Sequence, residues 1–118
     1  MLCENGYVKL IDFGLATILE DGKLRTTECG TPDYRAPEII EGRPYGKAVD
    51  WWSVGIVLYY LLNRTTPFYV KDSAEKTIWN ILNKEIVWTL AAGDTSNEAR
   101  DLVSKLDQVE TLVKHFVP

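Results

Sequence analysis

The sequence predicts an α+β fold that is predominantly α-helical, and three patterns support this expectation. A short β-hairpin is expected from residues 1–3 and 7–11, because Asn5-Gly6 suits a tight turn with positive φ at both central residues. Residues 15–43 have no clear apolar period, which predicts a long loop with at most short helical turns. Helical patterns follow from residue 50 onward.

The central helix is expected over residues 50–62, which are apolar on nearly every face. Such a helix has no polar stripe to turn toward water, so we expect protein to surround it on all sides. Residues 65–67, Thr-Thr-Pro, are expected to break it. In a chain of 118 residues there is barely enough protein to surround such a helix.

Two further helices are predicted from capping pairs. Asp72 with Glu75 opens one of them, and Thr95 with Glu98 opens the other. The side chains expected to be buried are Ile78, Trp79, Ile81 and Leu82 on the first helix and Ala99, Leu102, Val103 and Leu106 on the second. A short helix over residues 111–116 is expected at the end.

Composition limits the classes of function. The 118 residues suffice for one modest domain or a piece of a larger one. The formal net charge is −4, from 13 basic and 17 acidic residues, which argues against binding to nucleic acid. Cys3, Cys29 and His115 cannot build a zinc site or a disulfide framework. No membrane span and no secretory signal are expected, so the location predicted is intracellular and most simply cytoplasmic.

The first candidate functional residues are Asp12-Phe13-Gly14, at the end of the second expected strand. A carboxylate followed by a flexible glycine can present an oxygen ligand to Mg²⁺. The tripeptide alone is weak evidence, because a strand that ends in a polar turn has the same composition. Stronger evidence lies downstream, where residues 29–38 have the sequence CGTPDYRAPE and residues 50–55 have the sequence DWWSVG.

With these three ordered motifs the chain resembles a eukaryotic protein kinase over roughly residues 1–106. The CGTPDY core is similar to the AGC group of serine/threonine kinases. The resemblance implies an incomplete kinase C-terminal lobe, with the hairpin and D-F-G motif in residues 1–14, the activation segment in 15–38 and a helical subdomain in 39–118. It also implies ATP and Mg²⁺ as cofactors, and transfer of phosphate to serine or threonine of a protein substrate.

For nucleotide binding, the resemblance implies that Asp12 binds the Mg²⁺ bridging the phosphates. Phe13 would pack beneath Asp12 and set active or inactive geometry, and Gly14 completes the motif. Met1 aligns with the residue that forms the bottom of the adenine pocket in the family.

For regulation, Thr27 matches the activation-loop phosphorylation site of AGC kinases, and Thr26 is the neighbouring candidate. A phosphate there can order the loop against basic residues, which implies an activating kinase as partner. The alternative is that both threonines are ordinary solvated loop residues. Thr17 stands where relatives supply a basic residue to hold the loop phosphate.

For substrate binding, Thr31 and Pro32 match the loop that receives the residue following the phosphoacceptor. Glu28 and Arg35 stand where the family usually has apolar side chains in that pocket, so the substrate preference is open there.

Two acidic residues match structural positions of the family. Glu38 matches the A-P-E glutamate, which pairs in the family with a buried arginine far downstream. Because Arg100 is the last arginine, we expect Glu38 to lack that partner. Asp50 matches the aspartate that opens the central helix and holds the catalytic loop. On that helix, Val57 and Leu61 would support the apolar column under the adenine, and residues 109–116 resemble the family's closing helix.

Several parts of the kinase machinery are absent from these 118 residues: the Gly-rich loop, the strand lysine with its helix glutamate, and the H-R-D-x-x-x-x-N loop that supplies the base. We therefore expect the chain alone to be catalytically incompetent and to bind neither ATP nor Mg²⁺ tightly without an N-terminal lobe as partner. Two hypotheses remain open: a fragment of an active kinase, or a non-catalytic kinase-like binding or regulatory module.

Overall fold

The computed structural model describes residues 1, 3–88 and 96–108. Within them the α-helices are α1 (Pro37–Ile40), α2 (Ala48–Asn63), α3 (Ala74–Asn83) and α4 (Asn97–Asp107). Two single-turn 3₁₀ helices, Phe13–Leu15 and Pro32–Tyr34, lie in the long segment before α1. The mainly helical fold and the short helical turns within residues 15–43 are therefore confirmed. The helix expected over residues 111–116, and the similarity of residues 109–116 to a closing helix, lie outside the described residues.

Only a short stretch of backbone is paired at the start of the chain. Cys3 N–H donates to Tyr7 O at 2.8 Å, and Gly6 N–H donates to Cys3 O at 2.9 Å. Gly6 has a φ of +81°, whereas Asn5 has no positive φ, so the expected positive φ at both turn residues is wrong. One left-handed glycine that closes a three-residue loop is an alternative hairpin geometry. The described residues include no regular strand, so the two-stranded hairpin stays a prediction.

Helix α2 is buried along one face only. Trp52, Ile56 and Tyr59 are exposed by 8%, 1% and 2%, and the ring of Trp52 stacks on that of Phe68 with centroids 6.1 Å apart. The buried core cluster consists of Ala36, Trp52, Ile56, Phe68 and Ile81. On the other face, Leu61 is 69% exposed. Within the described residues, α4 and the Pro32–Tyr34 turn leave part of the helix surface uncovered. The expectation of protein on all sides of the helix therefore stays a prediction.

A backbone cap ends α2 just before the predicted break. Arg64 adopts a left-handed conformation with φ 60°, and its N–H donates to Tyr60 O at 2.7 Å. This bond satisfies a carbonyl of the last turn that would otherwise have no partner. The helix therefore stops at Asn63, and the Thr-Thr-Pro sequence of residues 65–67 follows the turn rather than causing it.

Serine side chains cap α3 and α4. Ser73 Oγ accepts the N–H three residues later at 3.2 Å, and Ser96 Oγ does the same at 3.2 Å. The prediction that Asp72 caps α3 is wrong, because Asp72 has φ 59° and belongs to the preceding turn. Thr95, the predicted cap of α4, lies outside the described residues. Both caps satisfy N–H groups that have no partner within the helix.

Burial on α3 and α4 follows the predicted pattern in part. The predicted positions that are buried or half-buried are Ile78, Ile81, Ala99, Val103 and Leu106. Trp79, Leu82 and Leu102 are instead exposed, by 57%, 38% and 50%. The side of α3 that carries Thr77 and Ile81 is the buried one, and α3 packs against α1 and the Pro32–Tyr34 turn. None of the helices within the described residues has the length and apolarity needed to cross a membrane.

Candidate functional site

Asp12 lies in a left-handed conformation, with φ 61°, immediately before the Phe13–Leu15 turn. Its Oδ1 accepts the N–H of Gly14 at 3.3 Å, which caps that turn. A Cβ at position 14 would lie only 3.2 Å from Asp12 Oδ1, so glycine relieves crowding at this cap. Left-handed backbone at a residue other than glycine is uncommon and is enriched at functional sites. The turn fixes the place of the Asp12 carboxylate at the surface.

The chemistry of this turn suits one magnesium ligand rather than a complete metal site. The Asp12 carboxylate is exposed and has a hard oxygen donor beyond the one that accepts from Gly14. In residues 1, 3–88 and 96–108, no three His, Cys, Asp or Glu side chains are arranged to hold a metal ion. Mg²⁺ is commonly held by one or two carboxylates together with nucleotide phosphates. Asp12 therefore fits the role of a single protein ligand to a nucleotide-bound Mg²⁺.

The residues expected around the adenine are exposed in the described chain. Met1 is exposed by 72%, and Val57 and Leu61 are exposed by 44% and 69%. Phe13, which was expected to pack beneath Asp12, is 68% exposed. Asp50, in the first turn of α2, is also exposed. The described residues thus place the Asp12 carboxylate but do not enclose a nucleotide.

The middle of the activation segment is attached to the chain just before α2. Arg25 and Tyr45 exchange two backbone hydrogen bonds of 2.8 Å each, and Tyr45 Oη donates to Thr27 O at 2.6 Å. Lys47 Nζ pairs with Asp21 Oδ1 at 2.9 Å. This ammonium lowers the pKa of the Asp21 carboxyl below its usual value, mainly through the hydrogen bond and then through charge attraction. The attachment leaves the side chains of the loop exposed.

Arg35 holds the next part of the segment in a tight turn. Its Nε and Nη2 donate to Gly30 O at 2.8 and 2.5 Å, and its Nη1 pairs with Glu28 Oε1 at 2.6 Å. The Arg35 side chain is 18% exposed, whereas that of Glu28 is 62% exposed. Thr31 is exposed, and Pro32, which begins the 3₁₀ turn, is half-buried. The structure therefore brings the four predicted substrate residues to one turn and joins two of them in an ion pair.

Side chains from α2 and from the loop that follows it hold this turn in place. Ser53 Oγ, on α2, donates to Tyr34 O at 2.8 Å. Thr66 Oγ1 donates to Asp33 Oδ1 at 3.3 Å. The turn of residues 28–35 is thus attached through Tyr34 to α2 and through the adjacent Asp33 to the loop after α2.

Glu38 is buried, with only 4% exposure, in the first turn of α1. It is not without an interaction partner. The expected absence of the downstream arginine that pairs with this glutamate in the family stays a prediction. Burial of an unpaired carboxylate is costly enough that a folded chain rarely tolerates it.

Sequence reasoning assigned no role to Arg25, Tyr45 or Lys47, although these residues hold the loop. Tyr45 bonds to a carbonyl 18 residues away, and Lys47 pairs with a carboxylate 26 residues away. Local patterns carry no information on such pairs, since periodicity and caps extend over only a few residues.

Comparison with known proteins gives one consistent result. The family model described as protein kinase domain matches residues 1–114. The chain is 43% identical to the cAMP-dependent protein kinase type 3 of Saccharomyces cerevisiae over 106 residues, which cover 90% of this chain and 25% of that protein. It is 41% identical to the RAC-beta serine/threonine-protein kinase of Rattus norvegicus over 107 residues, or 90% of this chain and 21% of that protein. A probable myosin light chain kinase of Dictyostelium discoideum is 44% identical to this chain over 112 residues, which cover 90% of this chain and 34% of that protein.

Proposed function

Because this chain belongs to the protein kinase family, we propose that it forms part of the C-terminal lobe of an ATP-dependent serine/threonine kinase of the AGC type. Its similarity to a cAMP-dependent protein kinase and to the RAC-beta serine/threonine-protein kinase supports this assignment. The chain spans a quarter or less of the length of these two relatives. The observation that carries the proposal is the carboxylate of Asp12, displayed at a left-handed turn and fixed there by the Gly14 N–H.

The proposed contribution of this chain is to position groups rather than to form bonds. Phosphoryl transfer by kinases depends mainly on alignment and on neutralisation of the phosphate charge. Mg²⁺ supplies that positive charge when it is bound, and Asp12 would hold it through one carboxylate. The turn of residues 28–35, fixed by Arg35 and by Ser53 of α2, would receive the protein substrate. Thr27 or Thr26 would accept a phosphate from an activating kinase, in the segment attached to Tyr45.

The 118 residues by themselves are proposed to be catalytically incompetent. They contain no H-R-D-x-x-x-x-N loop to supply a base, and the residues expected around adenine are exposed. ATP and Mg²⁺ are therefore expected to bind weakly unless an N-terminal lobe is present. An intracellular, cytoplasmic location belongs to the same proposal, since the kinase would act there on protein substrates.

The test grafts residues 1–118 in place of the matching segment of the yeast cAMP-dependent protein kinase type 3. We expect the chimera to transfer phosphate from ATP to a serine peptide and Asp12→Asn to lower kcat by roughly 100-fold or more. Glu4→Gln makes the same kind of charge change in the exposed turn of the starting segment and should keep the activity. The isolated 118-residue chain should show no transfer above background.

Three results would contradict the proposal. A chimera in which Asp12→Asn keeps full activity would exclude the assigned role of that carboxylate. A chimera that folds and binds ATP but transfers no phosphate would favour the alternative of a non-catalytic binding or regulatory module. Turnover by the isolated chain that Asp12→Ala abolishes would show that the chain alone is competent.

A further inference from the structure

Glu28 and Arg35 form an ion pair in the turn of residues 28–35, and only one of the two charged groups is well exposed. Glu28 Oε1 lies 2.6 Å from Arg35 Nη1. The Arg35 side chain is 18% exposed, and its Nε and Nη2 donate to Gly30 O. The Glu28 side chain is 62% exposed, and Arg35 supplies the one hydrogen bond that its carboxylate accepts within the described residues. The charge that this pair offers to a ligand is therefore negative.

A second carboxylate adds to this negative charge. Asp33 belongs to the same turn, is half-buried, and accepts a hydrogen bond from Thr66 Oγ1 at 3.3 Å. A neutral hydroxyl donor leaves the carboxylate charged. Residues 28–35 contain two acidic side chains and one basic side chain, so the turn has a formal net charge of −1. Because Arg35 is already bonded to Glu28 and Gly30, residues 28–35 have no cation left to attract an acidic ligand.

Three kinds of substrate side chain would interact differently with this turn. An apolar side chain packed on the ion pair would remove water from the Glu28 carboxylate without replacing its hydrogen bonds, which is costly. An acidic side chain would be repelled by the exposed Glu28. The ammonium of a lysine or the guanidinium of an arginine would donate to Glu28 Oε2 and leave the bond from Arg35 to Oε1 in place. The turn is thus chemically suited to a cationic side chain.

We propose that Glu28 is a specificity-determining residue that favours protein substrates with lysine or arginine directly after the phosphorylated serine or threonine. The inference rests on the proposed function, in which the turn of residues 28–35 receives the residue that follows the phosphoacceptor. Arg35 bonds to both Glu28 Oε1 and Gly30 O, and these bonds restrain the Glu28 carboxylate at the turn. The preference differs from the one that apolar side chains at positions 28 and 35 would give.

The test uses the chimera that carries residues 1–118 and three peptides that are identical except for lysine, leucine or glutamate directly after the serine. We expect kcat/KM to be about 5-fold higher with lysine than with leucine, the upper range for an exposed ion pair, and lowest with glutamate. Glu28→Gln keeps an oxygen for Arg35 but removes the charge, and it should abolish the preference for lysine. The matched control Glu20→Gln should leave the preference unchanged, since Glu20 is 69% exposed and pairs with Lys23 in the same segment.

Equal kcat/KM values for the lysine and leucine peptides overturn the inference, and so does a preference for lysine that survives Glu28→Gln. A chimera that is inactive with all three peptides would refute the proposed function, and binding is then measured without turnover. NMR signals of residues 28–35 in the 118-residue chain give the Kd of the lysine and leucine peptides. In that case a lower Kd for the lysine peptide that Glu28→Gln removes would leave the selectivity of Glu28 standing, and equal Kd values would overturn it.

Discussion

The hydroxyl of Tyr59 donates a hydrogen bond to the carbonyl of Val87 at 2.9 Å, and this bond attaches the chain after α3 to the middle of α2. Tyr59 is 2% exposed, and its ring centroid lies 5.0 Å from that of Trp88. The guanidinium of Arg100, on α4, lies over the same Trp88 ring at 5.6 Å. Tyr59, Trp88 and Arg100 therefore join α2, the segment after α3 and α4.

We expect Tyr59→Phe to lower the free energy of unfolding by about 1 kcal/mol. The substitution keeps the buried ring but leaves the Val87 carbonyl without its donor. Urea unfolding of the 118-residue chain measures the change. Tyr60→Phe, at the neighbouring position with 46% exposure, is the matched control and should change stability by less than about 0.5 kcal/mol. Equal effects of the two substitutions would show that the Tyr59 hydrogen bond is not a source of stability.

The start of α3 gives a second test, because Asp72 and Ser73 are adjacent and both are good capping residues. Ser73 Oγ accepts the N–H of Lys76 at 3.2 Å, so Ser73→Ala should cost about 1 kcal/mol. Asp72→Gly removes the side-chain oxygen and should be nearly neutral, since glycine adopts the left-handed φ of 59° found there without strain. Thermal unfolding followed by circular dichroism compares the two variants. A larger loss for Asp72→Gly than for Ser73→Ala would indicate that Asp72 caps the helix, as the sequence predicted.

The ion pair between Asp21 and Lys47 predicts a pH effect with a definite sign. The Lys47 ammonium lowers the pKa of the Asp21 carboxyl below 3.8, first by a hydrogen bond and then by charge attraction. Because the folded pKa is the lower one, the stabilisation from this pair is present above pH 3.8 and is lost as the pH falls through the folded pKa. Lys47→Gln should therefore raise the pKa of Asp21 toward 3.8, as an NMR titration of the carboxyl would show.

The control for this pair is Lys76→Gln on α3, which should leave the pKa of Asp21 unchanged. High salt should move the pKa in the same direction as Lys47→Gln, because both partners are exposed and their attraction is screened. A pKa that responds to neither Lys47→Gln nor salt would mean that Lys47 does not hold the loop in solution.

The positions of the helices were largely predictable because they depend on local chemistry. The apolar run predicted a helix over residues 50–62, and α2 spans Ala48–Asn63. The cap of α3 was misplaced by one residue, since Asp72 and Ser73 offer equivalent oxygens and the backbone of the preceding turn decides between them. The Asp12-Phe13-Gly14 turn was expected from its motif, but its left-handed φ of 61° was not.

The arrangement of the candidate site was less predictable. Glu28 and Arg35 were noted for their unusual charge, but their mutual ion pair at 2.6 Å, with Arg35 also bonded to Gly30 O, required the folded turn. Arg25 and Tyr45 pair across 20 residues, and neither residue belongs to a recognisable local pattern. Such contacts depend on how the loop returns to the start of α2.

By itself, the sequence determined where the helices form and which kinase motifs the chain carries, because propensities, apolar runs and motif spacings are properties of neighbouring residues. Only the tertiary structure decided which face of α2 is buried. A helix that is apolar all round has no face that its own sequence marks for burial. The elements packed against it therefore determine which side chains are buried: Ile56 is 1% exposed, whereas Leu61 is 69% exposed. The tertiary structure also decided that, among the described residues, Arg25 has no acidic partner while its basic neighbours do, since ion pairing depends on distances in space and not along the chain.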